Sequence, residues 1–384
     1  MLGDDDVSDA ELAAMVAELW GVETVRLVDS MAEPVAYDVP SILTGARTWV
    51  RGHADAGDGP REFALFVKRV HNWRHSPAFA FVPPEVGEWA ASTLPWRAEP
   101  RVYASDLAAR LPDGLTMPRG LRVEEHDDET AVIWMEAVDA APVAWTVADS
   151  VRAARLLGRL SASADVAQLA GIDPQPWHIQ SFVDGRLAYT VLPGLHDEAT
   201  WRHPTVAEHF GDLREALTAT ARHLDVLAHE FARSRHLASH GDACPNNLLR
   251  REDDPGFTLI DFGFWRPQPV GFDLSQLLVG DIQIGRQDAG DLPERAAACV
   301  DSYAAGLADE GLEVPLAEVR RCHAVSLMLF NGLPSLPLEM LQEEATLEAA
   351  GGVTAEFRAG FDHWARQRAG IARYALDLLA STGP

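Results

Sequence analysis

Lysine is almost missing from this sequence. Of its 32 basic residues, 31 are arginine and a single one, Lys68, is lysine. Arginine therefore serves wherever either cation suffices, as at solvated surface positions, and a site that keeps lysine is one that needs a compact ammonium rather than a planar fork. Cysteine is scarce too. Cys244, Cys299 and Cys322 contain no C-x-x-C pair and are odd in number, which argues against a disulfide framework and against a zinc ribbon. They read as buried or idle thiols in a reducing compartment. Positive charge is short overall: 58 acidic against 32 basic side chains give a formal charge of −26. A nucleic-acid backbone or an anionic membrane surface would be repelled, so neither is an expected partner. The same field favours a cationic small molecule, although high acidity is more often a solubility feature of the surface. No run of about 18 uncharged apolar residues occurs, and no basic region followed by an apolar stretch opens the chain at Met1–Asp6. A cytoplasmic protein is expected.

Several enzyme signatures are also absent. There is no G-x-x-x-x-G-K-[ST] loop, no G-x-S-x-G elbow and no H-E-x-x-H pair, which disfavours P-loop enzymes, α/β-hydrolases and zincins. Scattered histidines such as His71, His178, His229 and His363 read as surface or core residues rather than ligands. Internal repeats and low-complexity tracts are missing as well.

What is present is enough for a large core. A chain of 384 residues at 47% hydrophobic composition suggests two domains or lobes. Ser8 with Glu11 makes a capping-box pattern ahead of Leu12, Met15, Val16 and Leu19, predicting an amphipathic helix. Segments Tyr37–Leu43, Thr48–His53 and Glu62–Val70 are short and partly β-branched or aromatic, and Leu121–Glu125 and Ala131–Met135 resemble them. Together they predict a small antiparallel sheet, with Lys68 near the end of its third strand. Helices are expected at Glu85–Thr93 and Trp96–Leu111, broken apart by Pro95. After a connector at Glu136–Pro142 the chain reads as helical, at Val147–Ala164, in a long element from Thr205 to Arg235, and repeatedly beyond Asp273. A β-rich first third and an α-rich remainder predict an α+β protein with two segregated lobes, residues 1–136 and 137–384.

The chemistry is concentrated in His240-Gly-Asp-Ala-Cys-Pro-Asn-Asn-Leu-Leu249 and Phe257-Thr-Leu-Ile-Asp-Phe-Gly263. A turn cluster at Arg250–Gly256 joins these apolar runs, which is a hairpin signal. With the turn centred near Asp254, Asn247 and Asp261 are equidistant from it and face one another, with Cα atoms about 5 Å apart. An amide oxygen beside a carboxylate is the hard donor set that magnesium takes when it also binds substrate phosphates. Asp242, on the preceding loop, is placed to receive a proton from an attacking hydroxyl. Phosphoryl transfer needs mostly positioning and neutralisation of charge, and Lys68 fits a contact to the α and β phosphates.

His240-Gly-Asp with Asn247, then Ile260-Asp-Phe and Asp273 in Gly271-Phe-Asp-Leu-Ser-Gln-Leu-Leu278, resembles the aminoglycoside phosphotransferase family, relatives of the protein kinases. The resemblance is strongest over residues 237–280 and weaker around Lys68 and Glu99. It implies a protein-kinase-like two-lobed fold with ATP and Mg²⁺, Asp242 as catalytic Asp, Asn247 and Asp261 as metal ligands, and Lys68 as the ATP contact. It also implies that Asp273 buttresses the catalytic loop by accepting backbone N–H bonds and that His240 orients that loop. Glu99 matches the family's helix glutamate as partner of Lys68, with Glu85 and Glu88 as competitors; Pro100 directly after it requires Glu99 to lie in or before the first helical turn. The protein-kinase pattern G-x-G-x-x-G is lacking. The corresponding hairpin Ser41-Ile-Leu-Thr-Gly-Ala-Arg-Thr-Trp49 has Gly45 alone, with Ser41 and Thr44 supplying hydroxyls near the phosphates, and it leaves ATP and GTP both open.

The implied acceptor is a small molecule with a hydroxyl. Asp288, Asp291, Glu339, Glu343 and Glu344, in the region expected to hold it, would suit a polycationic aminoglycoside, or form a solvated helix face. A sugar or amino-sugar kinase is the alternative. A non-catalytic nucleotide-binding protein is disfavoured because no expected catalytic position is lost. A protein kinase is disfavoured because no Ala-Pro-Glu segment follows Asp261-Phe-Gly263.

Overall fold

The computed structural model of the chain describes residues 3–35, 41–140, 145–175, 177–250 and 255–383. They form two compact units, the first comprising Met1–Pro142, Ile172–Gln175 and Leu249–Trp265, the second Val143–Gly171, Pro176–Leu248 and Arg266–Pro384. The division is therefore not a single cut near residue 136: the segment carrying Asp261 belongs to the first unit.

In the first unit, helix α1 (Asp9–Trp20) starts at Ser8, whose Oγ accepts the Glu11 N–H at 3.3 Å while Glu11 Oε2 accepts the Ser8 N–H at 2.9 Å. This is the reciprocal capping box read from the sequence. Gly21 ends the helix at φ 65°, a left-handed conformation that costs glycine nothing. Leu12, Met15 and Val16 recur at helical spacing and are buried.

They pack on a five-stranded antiparallel sheet of order β1-β2-β3-β6-β5, with β1 Arg26–Pro34, β2 Thr44–Asp55, β3 Pro60–His71, β5 Gly120–Glu125 and β6 Thr130–Glu136. A short β4, Leu115–Thr116, pairs in parallel with β9, Phe257–Leu259. Phe63, Leu65 and Val67 of β3 alternate onto the face that meets α1, with Val50, Val132 and Trp134 beside them. The same alternation turns Lys68 to the opposite face.

The first strand differs from expectation. No strand covers Ser41–Leu43, and the rest of the expected strand, residues 37–40, lies outside the described residues. Strand β1 lies earlier in the chain. It is an edge strand with Arg26, Val28, Asp29, Met31 and Glu33 exposed, so its sequence lacks a buried alternation, and its place is fixed by the ladder to β2. The helix expected over Trp96–Leu111 shortens to α3, Ala98–Tyr103, and a 3-10 turn at Leu107–Ala109; the one before it shortens to α2, Gly87–Ala91. Pro100 falls in the first turn of α3, where no backbone donor is needed, which places Glu99 inside that turn.

The second unit is mostly helical. Helix α4 (Val147–Ala162) begins at a second capping box, Thr146 with Asp149, and lies against the helix Leu292–Asp309. The two backbones approach at glycines: a Cβ at Gly306 would stand 2.0 Å from the Arg155 carbonyl oxygen, and one at Gly158 2.2 Å from that of Tyr303. The long element expected over Thr205–Arg235 is instead Pro204–Phe210, Arg214–Ala221 and Leu224–Arg233, interrupted at Gly211 and near His223. Phe210, Leu213, Leu217, Leu224, Leu227 and Phe231 are buried and keep one 3-4 spacing across the breaks, the pattern that reads as a single helix. Strand β7 (His236–Ser239) pairs antiparallel with β10 (Arg266–Pro269), between which the chain passes through β8, Leu248–Leu249, whose Leu249 already belongs to the first unit. The stretch Leu316–Ala349 is long and apolar enough by composition to cross a membrane; 72% of its most apolar window is buried in the fold, as in a core helix.

Candidate functional site

Lys68 is 4% exposed. Its ammonium donates to Glu99 Oε1 at 2.9 Å and Oε2 at 2.6 Å, and to Asp261 Oδ1 at 2.9 Å. Glu99 is 3% exposed, so its desolvation is nearly complete, whereas the Asp261 side chain keeps 37% of its surface. Burial alone would push the lysine toward neutrality, but the Asp261 and Glu99 carboxylates outweigh it and raise the Lys68 pKa. Burial raises Glu99 to about 7; Lys68 pulls against this and Asp261 adds to it. One ammonium thus serves two carboxylates. A buried arrangement of this kind is weak evidence for stability, but removing one member leaves uncompensated charge. Arg47, opposite Lys68 in the β2–β3 register, also pulls the Glu99 pKa down.

The competitors of Glu99 are elsewhere. Glu88 pairs with Arg74 at 3.0 Å on the surface, and Glu85 is exposed in a 3-10 turn. Asp261 adopts φ 64°, a left-handed conformation unusual for a residue with a side chain, and its ring neighbours Phe262 and Tyr103 meet edge to face at 5.8 Å. Thr44 and Gly45 are strand residues rather than loop residues: Thr44 opens β2 opposite Val70, and Gly45 is the extra residue of a bulge. Ser41 precedes them, outside the strand.

In the second unit the loop after β7 is gathered on one carboxylate. Asp273, 2% exposed, accepts the Ser239 hydroxyl at 2.8 Å and the Gly241 N–H at 2.8 Å on Oδ1, and the His240 N–H at 3.0 Å on Oδ2. Burial raises its pKa, opposed by His240, the hydroxyl and the two amides. Gly241 N–H meets the same oxygen as the Ser239 hydroxyl, and its φ of 84° then turns the chain toward Asp242 in a conformation that suits glycine. His240 is fully buried, and the Asp242 N–H lies 3.4 Å from its Nδ1. Asn247, in the 3-10 turn Pro245–Asn247, donates through Nδ2 to the Asp242 carbonyl at 2.8 Å and to Asp242 Oδ2 at 3.1 Å. Asp242 and Asn247, five residues apart, are thereby in direct contact. The hairpin turn expected near Asp254 falls on residues 251–254, which lie outside the described residues; β8 and β9 are neighbours in one sheet.

Three supporting features escaped the sequence reading. Ser239 shares Asp273 with the loop. Gly280, inside the helix Asp273–Gln283, lets Cys244 approach so closely that a Cβ there would stand 2.6 Å from the Cys244 Cβ. Arg286 hydrogen-bonds Asn246. The glycine left a signal, since an isolated Gly in an apolar helix marks close approach; the other two left none. Of the acidic residues considered for the acceptor, Asp288 bonds the Gly290 N–H and Gln367, Glu339 pairs with Arg186, and Glu344 with His203. Asp291 and Glu343 are exposed.

Residues 83–308 match the Phosphotransferase enzyme family. That is more than half of the chain, and the chain belongs to this family. Its fold is α+β, with an antiparallel sheet in one unit and mostly helices in the other. Among solved structures it is similar to an amicoumacin kinase, hAmiN, in complex with AMP-PNP, Ca²⁺ and Ami, at 13% identity over 89% of this chain and 88% of that one, with a TM-score of 0.49. It is similar to an aminoglycoside phosphotransferase from Alicyclobacillus acidocaldarius at 15% identity, 91% and 92% coverage and a TM-score of 0.45. It is similar also to the spectinomycin phosphotransferase APH(9)-Ia with ADP and its antibiotic, at 12% identity, 97% and 100% coverage and a TM-score of 0.43. No curated protein sequence matches the chain.

Proposed function

We propose that this phosphotransferase moves the γ-phosphate of ATP, with GTP as the alternative donor, to a hydroxyl of a small molecule with the help of Mg²⁺. The observation that carries the reading is the buried Lys68 held by Glu99 and Asp261, in a chain of a phosphotransferase family. An ammonium desolvated among carboxylates is poised to exchange one of them for phosphate oxygens.

Each residue then has a task. Lys68 binds the α and β phosphates, and Glu99 keeps it protonated and aimed. Asp242 orients the acceptor hydroxyl and receives its proton as the hydroxyl oxygen bonds to the γ-phosphorus and the bond to the β–γ bridging oxygen breaks. Asp273 and His240 hold the loop that carries Asp242. The residues fit a hard cation: Asn247 uses its amide nitrogen on Asp242, which leaves Oδ1 as its ligand atom, and Asp261 offers a partly exposed carboxylate. When bound, Mg²⁺ neutralises charge on the phosphoryl oxygens. Ser41, Thr44 and Gly45 are assigned to the phosphate-covering segment.

For the acceptor, an aminoglycoside-type antibiotic is the first reading. A sugar or amino-sugar acceptor gains support from Asp288, Glu339 and Glu344, whose carboxylates are already engaged by neighbouring side chains rather than gathered for a polycation. A coupled ADP-release screen across aminoglycosides, amino sugars, neutral sugars and choline tests both. Stimulation by aminoglycosides alone supports the first reading, stimulation by neutral sugars the second, and none by any class removes the enzyme reading.

A further inference from the structure

We infer that His71 is a positioning residue for the nucleotide, acting through the segment Ser41–Gly45; the inference rests on the phosphotransferase reading above. Thr44 faces Val70 and Ala46 faces Arg69, so Gly45 is left without a partner on β3 at the bulge. The space beside it is filled by a ring. A Cβ at Gly45 would stand 2.9 Å from His71 Nδ1 and 3.3 Å from Cε1.

His71 holds the segment from two sides. Its backbone N–H donates to the Leu43 carbonyl at 3.0 Å, and its ring interacts with the backbone of Ile42. The ring itself is fixed: it is 9% exposed, its residue pairs with Thr130 of β6, and the His75 ring lies 5.8 Å away centroid to centroid. Burial first, then the neighbouring His75 and Arg69, lowers its pKa, so the imidazole is neutral at pH 7.

An apolar side chain would fill the same space without a polar atom to satisfy. His71 Nε2 is buried with no hydrogen-bond partner among the described residues. Keeping a half-satisfied imidazole there has a cost that packing alone does not explain. Its return is a fixed path for residues 42–45, the backbone and hydroxyl group of Thr44 included. A segment whose amides are already set loses less freedom when phosphates arrive.

Calorimetric titration of the full chain with Mg²⁺ and AMP-PNP, with melting temperatures alongside, tests this in the wild type, His71→Ala, His71→Asn, Gly45→Ala and the Gly45→Ala/His71→Ala pair. Loss of the ring should weaken nucleotide binding about tenfold, while asparagine, which keeps a donor at the same distance from the backbone, should stay within about threefold. Gly45→Ala should weaken binding by pushing the ring, and the double variant should bind no worse than either single one, since removing the ring removes the clash. Variants that melt earlier yet bind AMP-PNP within about twofold of wild type would make His71 a packing residue and overturn the inference alone. A wild-type protein that binds no nucleotide would overturn the phosphotransferase reading and this inference with it.

Discussion

Both carboxylate oxygens of Glu99 accept the Lys68 ammonium, at 2.9 and 2.6 Å, while the pair is all but sealed from water. A tetrahedral ammonium can serve both oxygens and still present a third N–H to Asp261. A planar guanidinium on a longer arm cannot enter the same space with that geometry.

Lys68→Arg is therefore expected to lose phosphoryl transfer by about a hundredfold or more in kcat/KM, although charge is kept. Steady-state ADP release with the acceptor identified by screening measures it. Full activity would make the lone lysine a survivor of arginine bias rather than a functional residue.

Glu99 gives a pH dependence with a definite sign. Its carboxyl is raised from 4.5 to about 7 in the folded protein, chiefly by burial, so the native state binds this proton more tightly than the unfolded chain. The stability it contributes is complete below about 4.5 and is lost as pH rises through about 7. Between pH 5 and 8 the wild type should lose up to about 3 kcal/mol relative to Glu99→Gln. Urea unfolding of both proteins across that range reads the difference; a constant gap would refute it.

Asp242→Ala is expected to abolish acceptor-dependent ADP release while leaving nucleotide binding within about threefold of wild type. Isothermal titration with AMP-PNP separates the two. Near-normal turnover would remove Asp242 from proton transfer.

Asp273→Asn turns an acceptor into a donor facing at least one of the Ser239 hydroxyl and the His240 and Gly241 amides. A buried donor left without an acceptor costs about 1–3 kcal/mol, and the variant should fall by at least that amount in urea unfolding and lose activity as the loop shifts. Unchanged stability would mean that the loop is held by other means.

Local signals in the sequence were read correctly where one residue type has one physical use. Ser8 and Glu11 announce the start of α1, and the short β-branched and aromatic run Glu62–Val70 announces the strand that carries Lys68. Glu99 could be favoured over Glu85 and Glu88 by resemblance, but its pairing depends on a contact between residues 31 apart in sequence, which no local pattern encodes. Strand β1 was missed because an edge strand owes its place to its neighbour. The breaks in Thr205–Arg235 were missed because the inward-facing leucines and phenylalanines keep one helical spacing straight through them. Arg286 on Asn246 is a tertiary contact with no sequence shadow.

The scarcity of lysine makes the chain its own probe. A protease specific for lysine has one bond to cut, Lys68–Arg69, and that bond lies in a strand paired with β2 on one side and β6 on the other, Lys68 facing Arg47 and Ile133. Cleavage requires the centre of the sheet to come apart. The rate at which the full-length band splits into two fragments is thus a clock for the opening of the first unit, and a nucleotide that slows that clock reports its own binding without any label.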